Sequence, residues 1–315
     1  MFDYMLVHLG SAMLSLLVLI IIVFAFMHLI PGNPAIVMLG PQADTSAIET
    51  LMKALELDKP LHIQFAKWFS NAIRGDLGHS ICYGKPVLWL IINRAETSVF
   101  LAFFSSLMVL GIGIPAGIIS SVKPNSWIDQ LVFGGALLAA AIPTFWLGLN
   151  LMLVFGVILK WLPSCGFPSV VRSGNIANLR YLVLPSFSLA IPNAALLARI
   201  TRSSMLDVLF RDYIVTATAK GLSQFKVVMK HALRTASIPI VTTAGFTFAT
   251  LLSGTVVTET VFGLPGVGRL IVEAVQSRDY PVIQGILLVV AISYVFINFT
   301  TDIAYGFLDP RVRYV

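Results

Sequence analysis

The residues whose type and placement point most directly to chemistry are acids at the edges of apolar runs. Glu259 and Asp302 each fall within a turn or so of the end of a long apolar run, and Asn150 and Asn298 lie deeper. An acid in hydrocarbon is costly and by default marks an ion path or a proton relay, which would make the chain an ion-coupled secondary transporter. Acids at the ends of runs more often cap a helix, snorkel or bond a neighbouring helix, so this reading stands as the alternative of another class. Ser253 in "LLSGT" could serve as a nucleophile only beside a base. His231 lies in a polar loop, His8 and His28 flank the first run, and His62 and His79 belong to a polar insert, so no Ser/His pair forms. The sequence contains no H-E-x-x-H and no G-x-x-x-x-G-K-[ST], so neither a zinc protease helix nor a P-loop is present. The glycine cluster "GLPGVGR" at 263 to 269 follows an apolar run and not a strand, which makes it a turn and not a dinucleotide fingerprint. Cys82 and Cys165 form no Cys-x-x-Cys and join no Cys/His cluster, so no metal site is indicated. The chain is therefore expected to be no enzyme and to hold no cofactor and no metal of its own.

These residues sit in a chain of the membrane class. It has 315 residues, 57% of them hydrophobic and 11% charged, against about 25% charged in ordinary soluble domains. A hydrocarbon core of about 30 Å takes roughly 20 apolar residues in helical form, and the apolar runs are continuous and do not alternate, so the expected fold class is all-α, a polytopic membrane protein. Six spans are expected, at roughly residues 9 to 30, 97 to 121, 131 to 159, 181 to 200, 237 to 262 and 284 to 306. The first reads as a retained span and not as a cleaved signal peptide, since no Ala-x-Ala-like site follows it. Pro115, Pro143 and Pro192 fall inside spans and predict kinks.

Charge sets the orientation. The net charge of +6 is spread over loops with no basic cluster interleaved with aromatics, which speaks for the bilayer as partner and against nucleic acid. Arg199 to Arg234 holds seven basic residues against two acids, and the tail adds Arg311 and Arg313, so this loop and both termini are expected to be cytoplasmic. Residues 31 to 95, 160 to 180 and 263 to 283 then face outward. The division that follows is 1–95 for the first span plus an external helical insert, 96–307 for the core with its cytoplasmic loop at about 200–235, and 308–315 for a cytoplasmic tail. In the insert, Ile48, Leu51, Met52, Leu55 and Leu57 recur at helical spacing after the cap candidates Asp44 and Thr45, and Pro60 ends the pattern. A second amphipathic stretch runs from about Leu61 to Ile73 and stops at Gly75. Cys82 and Cys165 share the outer side, where a disulfide between them would need matching geometry. Gly113 and Gly117 have the G-x-x-x-G spacing, which fits packing inside one bundle as well as it fits a subunit interface.

The cytoplasmic loop carries "DYIVTATAKGLSQF" at 212 to 225. Met205 to Phe210 and Tyr213 to Lys220 predict two short helices, the second ending at Gly221, which is free to take a left-handed cap. Ala217 and Ala219 keep its surface low in relief, and such a helix suits insertion into a partner's groove better than lying on lipid headgroups.

"DYIVTATAKG" followed by "KHALRTASIPIV" resembles the cytoplasmic coupling loop of ABC importer permeases of the dipeptide, oligopeptide, glutathione and nickel family. The resemblance extends to "HLIPGNPA" at 28–35, "LDKPLHIQFAKW" at 57–68, "RGDLGHS" at 74–80, "ETVFGLPGVGRL" at 259–270, "SRDYPVIQG" at 277–285 and "LDPRVRY" at 308–314. It departs from the general Glu-Ala-Ala form, since Val215, Thr216 and Ala217 stand in those places before Gly221. The resemblance implies a type I ABC importer permease fold in a bacterial or archaeal cytoplasmic membrane. It implies as partners a homologous second permease, two ATPases that bind ATP and Mg, and an external solute-binding protein that docks on the outer loops. Asp212, Tyr213, Thr216, Ala217, Ala219, Lys220 and Gly221 would seat on an ATPase. The implied cargo is peptide; nickel or another small solute is the alternative within the family.

Overall fold

The computed structural model describes residues 2–29, 44–54, 58–253 and 255–308. Residues 30–35 of the first motif, Leu55 and Leu57, the Asp302 side chain and the tail from 309 lie outside the described residues. Among the described residues the chain is helical, with no strand beyond an isolated bridge between His79 and Pro86.

Helix α1 covers Phe2–Leu29. Two short helices follow, α2 at Thr45–Ala54 and α3 at Leu61–Ile73, as the apolar spacing predicts. Phe65 and Trp68 of α3 pack against Phe24 of α1, with ring centroids of Phe24 and Phe65 at 5.2 Å, and Phe69 stacks on Phe65. Helix α4 runs 36 residues, Val87–Val122, longer than the roughly 20 a bilayer core requires. It begins well before residue 97 because Pro86, with extended backbone, is a good residue to precede a first turn and nothing after it breaks the helix.

The third expected span is two helices, α5 at Trp127–Ala141 and α6 at Thr144–Leu151, bent by 99° with respect to each other. The α6 segment continues as a π-helical stretch over Met152–Ile158. Pro143, in extended conformation, makes the break, while Pro115 and Pro192 are accommodated inside uninterrupted helices. A 3₁₀ segment at Ile176–Leu182 leads into α7, Val183–Leu209. The helix expected at 205–210 is the last part of α7, since no glycine or proline stops that helix as it leaves the apolar region. Next come α8 at Asp212–Ala219, a π-helical stretch at Val227–Ala232 and α9 at Leu233–Ser253. The fifth expected span, drawn to 262, ends with α9 at Ser253, and Val256–Val261 is a separate helix, α10. Helix α11 is Val267–Gln276 and α12 is Tyr280–Leu308.

Among the described residues four helical stretches are long and apolar enough to cross a membrane, at 87–122, 176–209, 224–253 and 280–301, and the bent α5–α6 pair makes a fifth if it counts as one. Helices α4 and α7 run parallel, because Gly113 lies against Ala194 and Leu197 while Gly117 lies against Ala198 and Thr201. A Cβ on Gly117 would come within 2.5 Å of the Thr201 Cβ, so the G-x-x-x-G pair serves packing within this chain. Two parallel neighbours oblige the chain between them to return, which the α5–α6 pair does. The main core is built on this contact, with Leu101, Val109, Leu197 and Met205 buried in it. Helix α9 packs on α7 and on α12, and α12 packs on α1.

Candidate coupling site

Arg211 is extended and ends the run of α7, so α8 starts in a new direction. Ile214 is the one α8 side chain that enters the main core, at 4% exposure, and it holds the helix to the bundle. The Tyr213 hydroxyl donates to Thr235 Oγ1 on α9 at 3.0 Å, a second tie. Ala217 is half-buried and packs against the core with Ile214. The helical period puts it three residues from Ile214 and hence towards the inner face, so of the two alanines Ala219 is the one on the open surface. Asp212, Val215, Thr216, Ala219 and Lys220 are exposed, and Asp212 stands in the first turn, where a negative charge suits the helix dipole. Gly221 has φ +80° and its N–H donates to the Thr218 carbonyl, the left-handed exit that glycine makes without strain. Exposed Phe210 and Phe225 flank the helix, so apolar surface surrounds a low helix face.

A buried acid positions the approach to this helix. Asp129 at the start of α5 accepts two hydrogen bonds of 2.7 Å from Arg202 on α7, one from the Asn125 N–H at 2.8 Å and one from the Ser120 hydroxyl. Neither Asp129 nor Arg202 stands out in the sequence, and their only signal there is an acid and a base close to span ends.

At the opposite end of the bundle three further carboxylates are consumed. Glu96 on α4 accepts from the Ser169 hydroxyl and from the Val170 and Val171 N–H groups, tying the 160–180 loop to α4. Asp279 is fully buried and accepts from the Ser80 hydroxyl and from the Ile81 and Cys82 N–H groups, joining the "RGDLGHS" turn to the "SRDY" turn. Glu259 is also fully buried; it accepts from Ser98 Oγ at 2.6 Å, Thr255 Oγ1 at 2.7 Å and the Arg269 N–H at 2.8 Å. Glu273 lies at the surface between Arg269, Arg94 and the Tyr83 hydroxyl. Partial burial and that bond push the Tyr83 phenol above its ordinary pKa. Cys82 and Cys165 are both free and exposed, so the disulfide is not made.

The model of the family described as "Binding-protein-dependent transport system inner membrane component" matches residues 113–314, and that of its N-terminal part matches residues 1–102. The chain belongs to this family. As a permease of the family it is a multi-pass protein of the inner membrane and a transporter subunit. Among curated proteins it is similar to the glutathione transport system permease protein GsiC of Escherichia coli O6:H1, at 41% identity over 100% of both chains. It is likewise similar to the probable peptide ABC transporter permease protein y4tP of Sinorhizobium fredii, at 38% identity over 99% of both. Among solved structures, chains of the MetNI methionine ABC transporter in inward-facing conformations match with TM-scores of 0.54 and 0.56. They cover 70% of this permease at 20% and 19% identity, which speaks to the fold. Within the permease, the motifs "ETVFGLPGVGRL", "RGDLGHS" and "SRDY" hold together the ends of the helices that lie away from α8, through Glu259 and Asp279.

Proposed function

We propose that this chain is a permease subunit of an ATP-driven importer of peptides, in the range from dipeptides to oligopeptides and glutathione-like molecules. It crosses the membrane six times with both termini in the cytoplasm, pairs with a homologous permease, and receives its cargo from an external binding protein. The α8 helix, with Tyr213, Val215, Thr216, Ala219, Lys220 and the exit at Gly221, enters a cleft of one of two partner ATPases. ATP and Mg belong to those partners, in keeping with a sequence that carries no P-loop.

The observation that carries this reading is α8 itself. A helix of eight residues is marginal alone. Here one buried isoleucine and one tyrosine hydroxyl anchor it, and its remaining surface is left open between two exposed phenylalanines. That arrangement presents a fixed, shallow knob for a groove. The peptide cargo follows from the relatives, which are named for peptide and glutathione transport.

The test is copurification in detergent with the ATPases and second permease encoded beside it. Val215→Glu and Ala219→Glu lie on the open face and are expected to abolish ATPase binding while the permease stays folded. Peptide uptake into vesicles loaded with ATP, and supplied with the binding protein outside, checks the cargo. A permease that takes up peptide with no ATPase bound overturns the reading.

A further inference from the structure

Helix α4 has two neighbours with opposite kinds of contact. Towards α7 the backbones touch, and Gly113 and Gly117 leave no room for even a methyl group. Towards α9 the contact is interrupted by two open clefts. One cleft lies between Ser106, Leu107 and Leu110 of α4 and Ala244, Thr247 and Phe248 of α9. A second, nearer the outer end, is bounded by Ala95 and Ser98 of α4, Leu252 and Ser253 of α9, and Ser293 and Tyr294 of α12. Close-packed contacts resist displacement, whereas a contact interrupted by clefts has fewer touching atoms to lose and moves more cheaply. Helix α9 is also the span tied to α8, through Tyr213 and Thr235. Helix α9 also packs on α7, and Ala236 and Ile240 of its first half lie buried in the main core.

The segments that follow α9 are bound elsewhere. Glu259 on α10 takes its Ser98 bond from α4 and its Arg269 bond from the first turn of α11. The Ser98 hydroxyl in turn accepts the Val267 N–H at 2.8 Å. A Cβ at Gly266 would stand 2.3 Å from the Glu259 carboxylate, so the turn closes directly over the acid. Its third bond comes from Thr255, at the start of its own helix, so the buried carboxylate joins α10 to both α4 and α11, and parting any of them leaves it short of a partner.

We propose that Glu259 is a positioning residue of the transport cycle: it binds α10 and α11 to α4, so that motion entering at α8 opens and closes the α4–α9 cleft and leaves α10 and α11 in place against α4. This rests on the proposed coupling of α8 to an ATPase.

The experiment uses spin-label pairs in the complete complex, reconstituted with its ATPases and binding protein, with and without trapped ATP. The pair Lys123 with Arg234 reads α4 against α9, Lys123 with Ser203 reads α4 against α7, and Ile92 with Val275 reads α4 against α11. Trapping ATP is expected to shift the first distance beyond the label width and to leave the other two unchanged. Glu259→Ala is expected to make the Ile92–Val275 distance broaden or shift with nucleotide, and to lower peptide transported per ATP hydrolysed several-fold. Glu259→Gln, which can keep the acceptor for the Arg269 N–H, is expected to stay near the wild type in both. The proposal is overturned if Ile92–Val275 moves with nucleotide in the wild type, if all three distances move together or none does, or if Glu259→Ala lowers transport and hydrolysis in equal proportion. Should Glu259→Ala fail to assemble, the wild-type distances decide alone. If no ATPase joins the complex, the coupling reading falls and this proposal with it; if the complex transports but the distances disagree, only this proposal falls.

Discussion

Arg202 grips Asp129 with two hydrogen bonds of 2.7 Å, Nε to one carboxylate oxygen and Nη2 to the other. The pair fastens the end of α7 that leads into α8 to the start of α5, next to the turn from α4. Asp129 is almost wholly buried, so removing Arg202 leaves a carboxylate without its charge partner. Arg202→Met is expected to cost about 3 to 5 kcal/mol, the range for breaking a buried pair. The double change with Asp129→Leu is expected to recover part of that loss. Thermal unfolding in detergent of the two single variants and the double checks this, and additive losses would show that the pair does not act as a unit.

Glycines of one sequence type divide by what surrounds them. At Gly117 an added Cβ would meet the Ala198 carbonyl oxygen at 2.6 Å, whereas at Gly135 nothing lies within 4 Å. Gly117→Ala is expected to destabilise by about 1 to 3 kcal/mol through overpacking. Gly135→Ala is expected to be neutral or slightly stabilising, since alanine is the better helix former. Equal melting temperatures for the two variants would contradict the parallel α4–α7 contact.

Ile214 and Gly221 affect α8 in different ways. Ile214→Ala is expected to loosen the helix from the core at a cost of about 2 to 4 kcal/mol, towards the lower end because the site is near the surface. Gly221→Val puts a β-branched residue at φ +80° and is expected to distort the exit while leaving the core intact. Proteolysis within 205–225 should rise sharply in the first variant and modestly in the second. Unchanged cleavage in Ile214→Ala would mean that α8 is held by contacts other than that side chain.

The two free thiols report orientation. Cys82 and Cys165 are exposed at the end of the bundle where Glu96 meets Ser169 and Asp279 meets Ser80. In intact spheroplasts both are expected to react with a membrane-impermeant maleimide, and prior reduction is expected to add no label. A Lys220→Cys variant, made without the native thiols, is expected to react only after the membrane is opened. The reverse pattern would invert the proposed topology.

Much of the fold was legible because its signals are local. Continuous apolar runs, prolines, and the spacing in 61–73 report what a stretch of chain does with the solvent next to it, and α3, α4, α7, α9 and α12 follow from them. The α8 helix and its glycine stop were legible for the same reason. Its facing was not, since Ala217 looks like any small residue until Ile214 is seen entering the core. The kink predicted at Pro143 is there as a full break of 99°, while Pro115 and Pro192, read the same way from the sequence, stay inside uninterrupted helices, a difference that no local signal carries.

By itself, then, the sequence determined that the chain lives in a membrane as helices and that it carries no P-loop motif. These depend on summed transfer free energies and on short spacings, which neighbouring residues settle among themselves. Tertiary structure alone decided what the acids do. Glu259 could have been an ion site, but Ser98, which lies 161 positions away, and Arg269 take its lone pairs; Asp279 is claimed by Ser80, which lies 199 positions away. The role of a buried charge is set by whichever groups the fold brings within about 3 Å of it, and sequence distance carries no information about that.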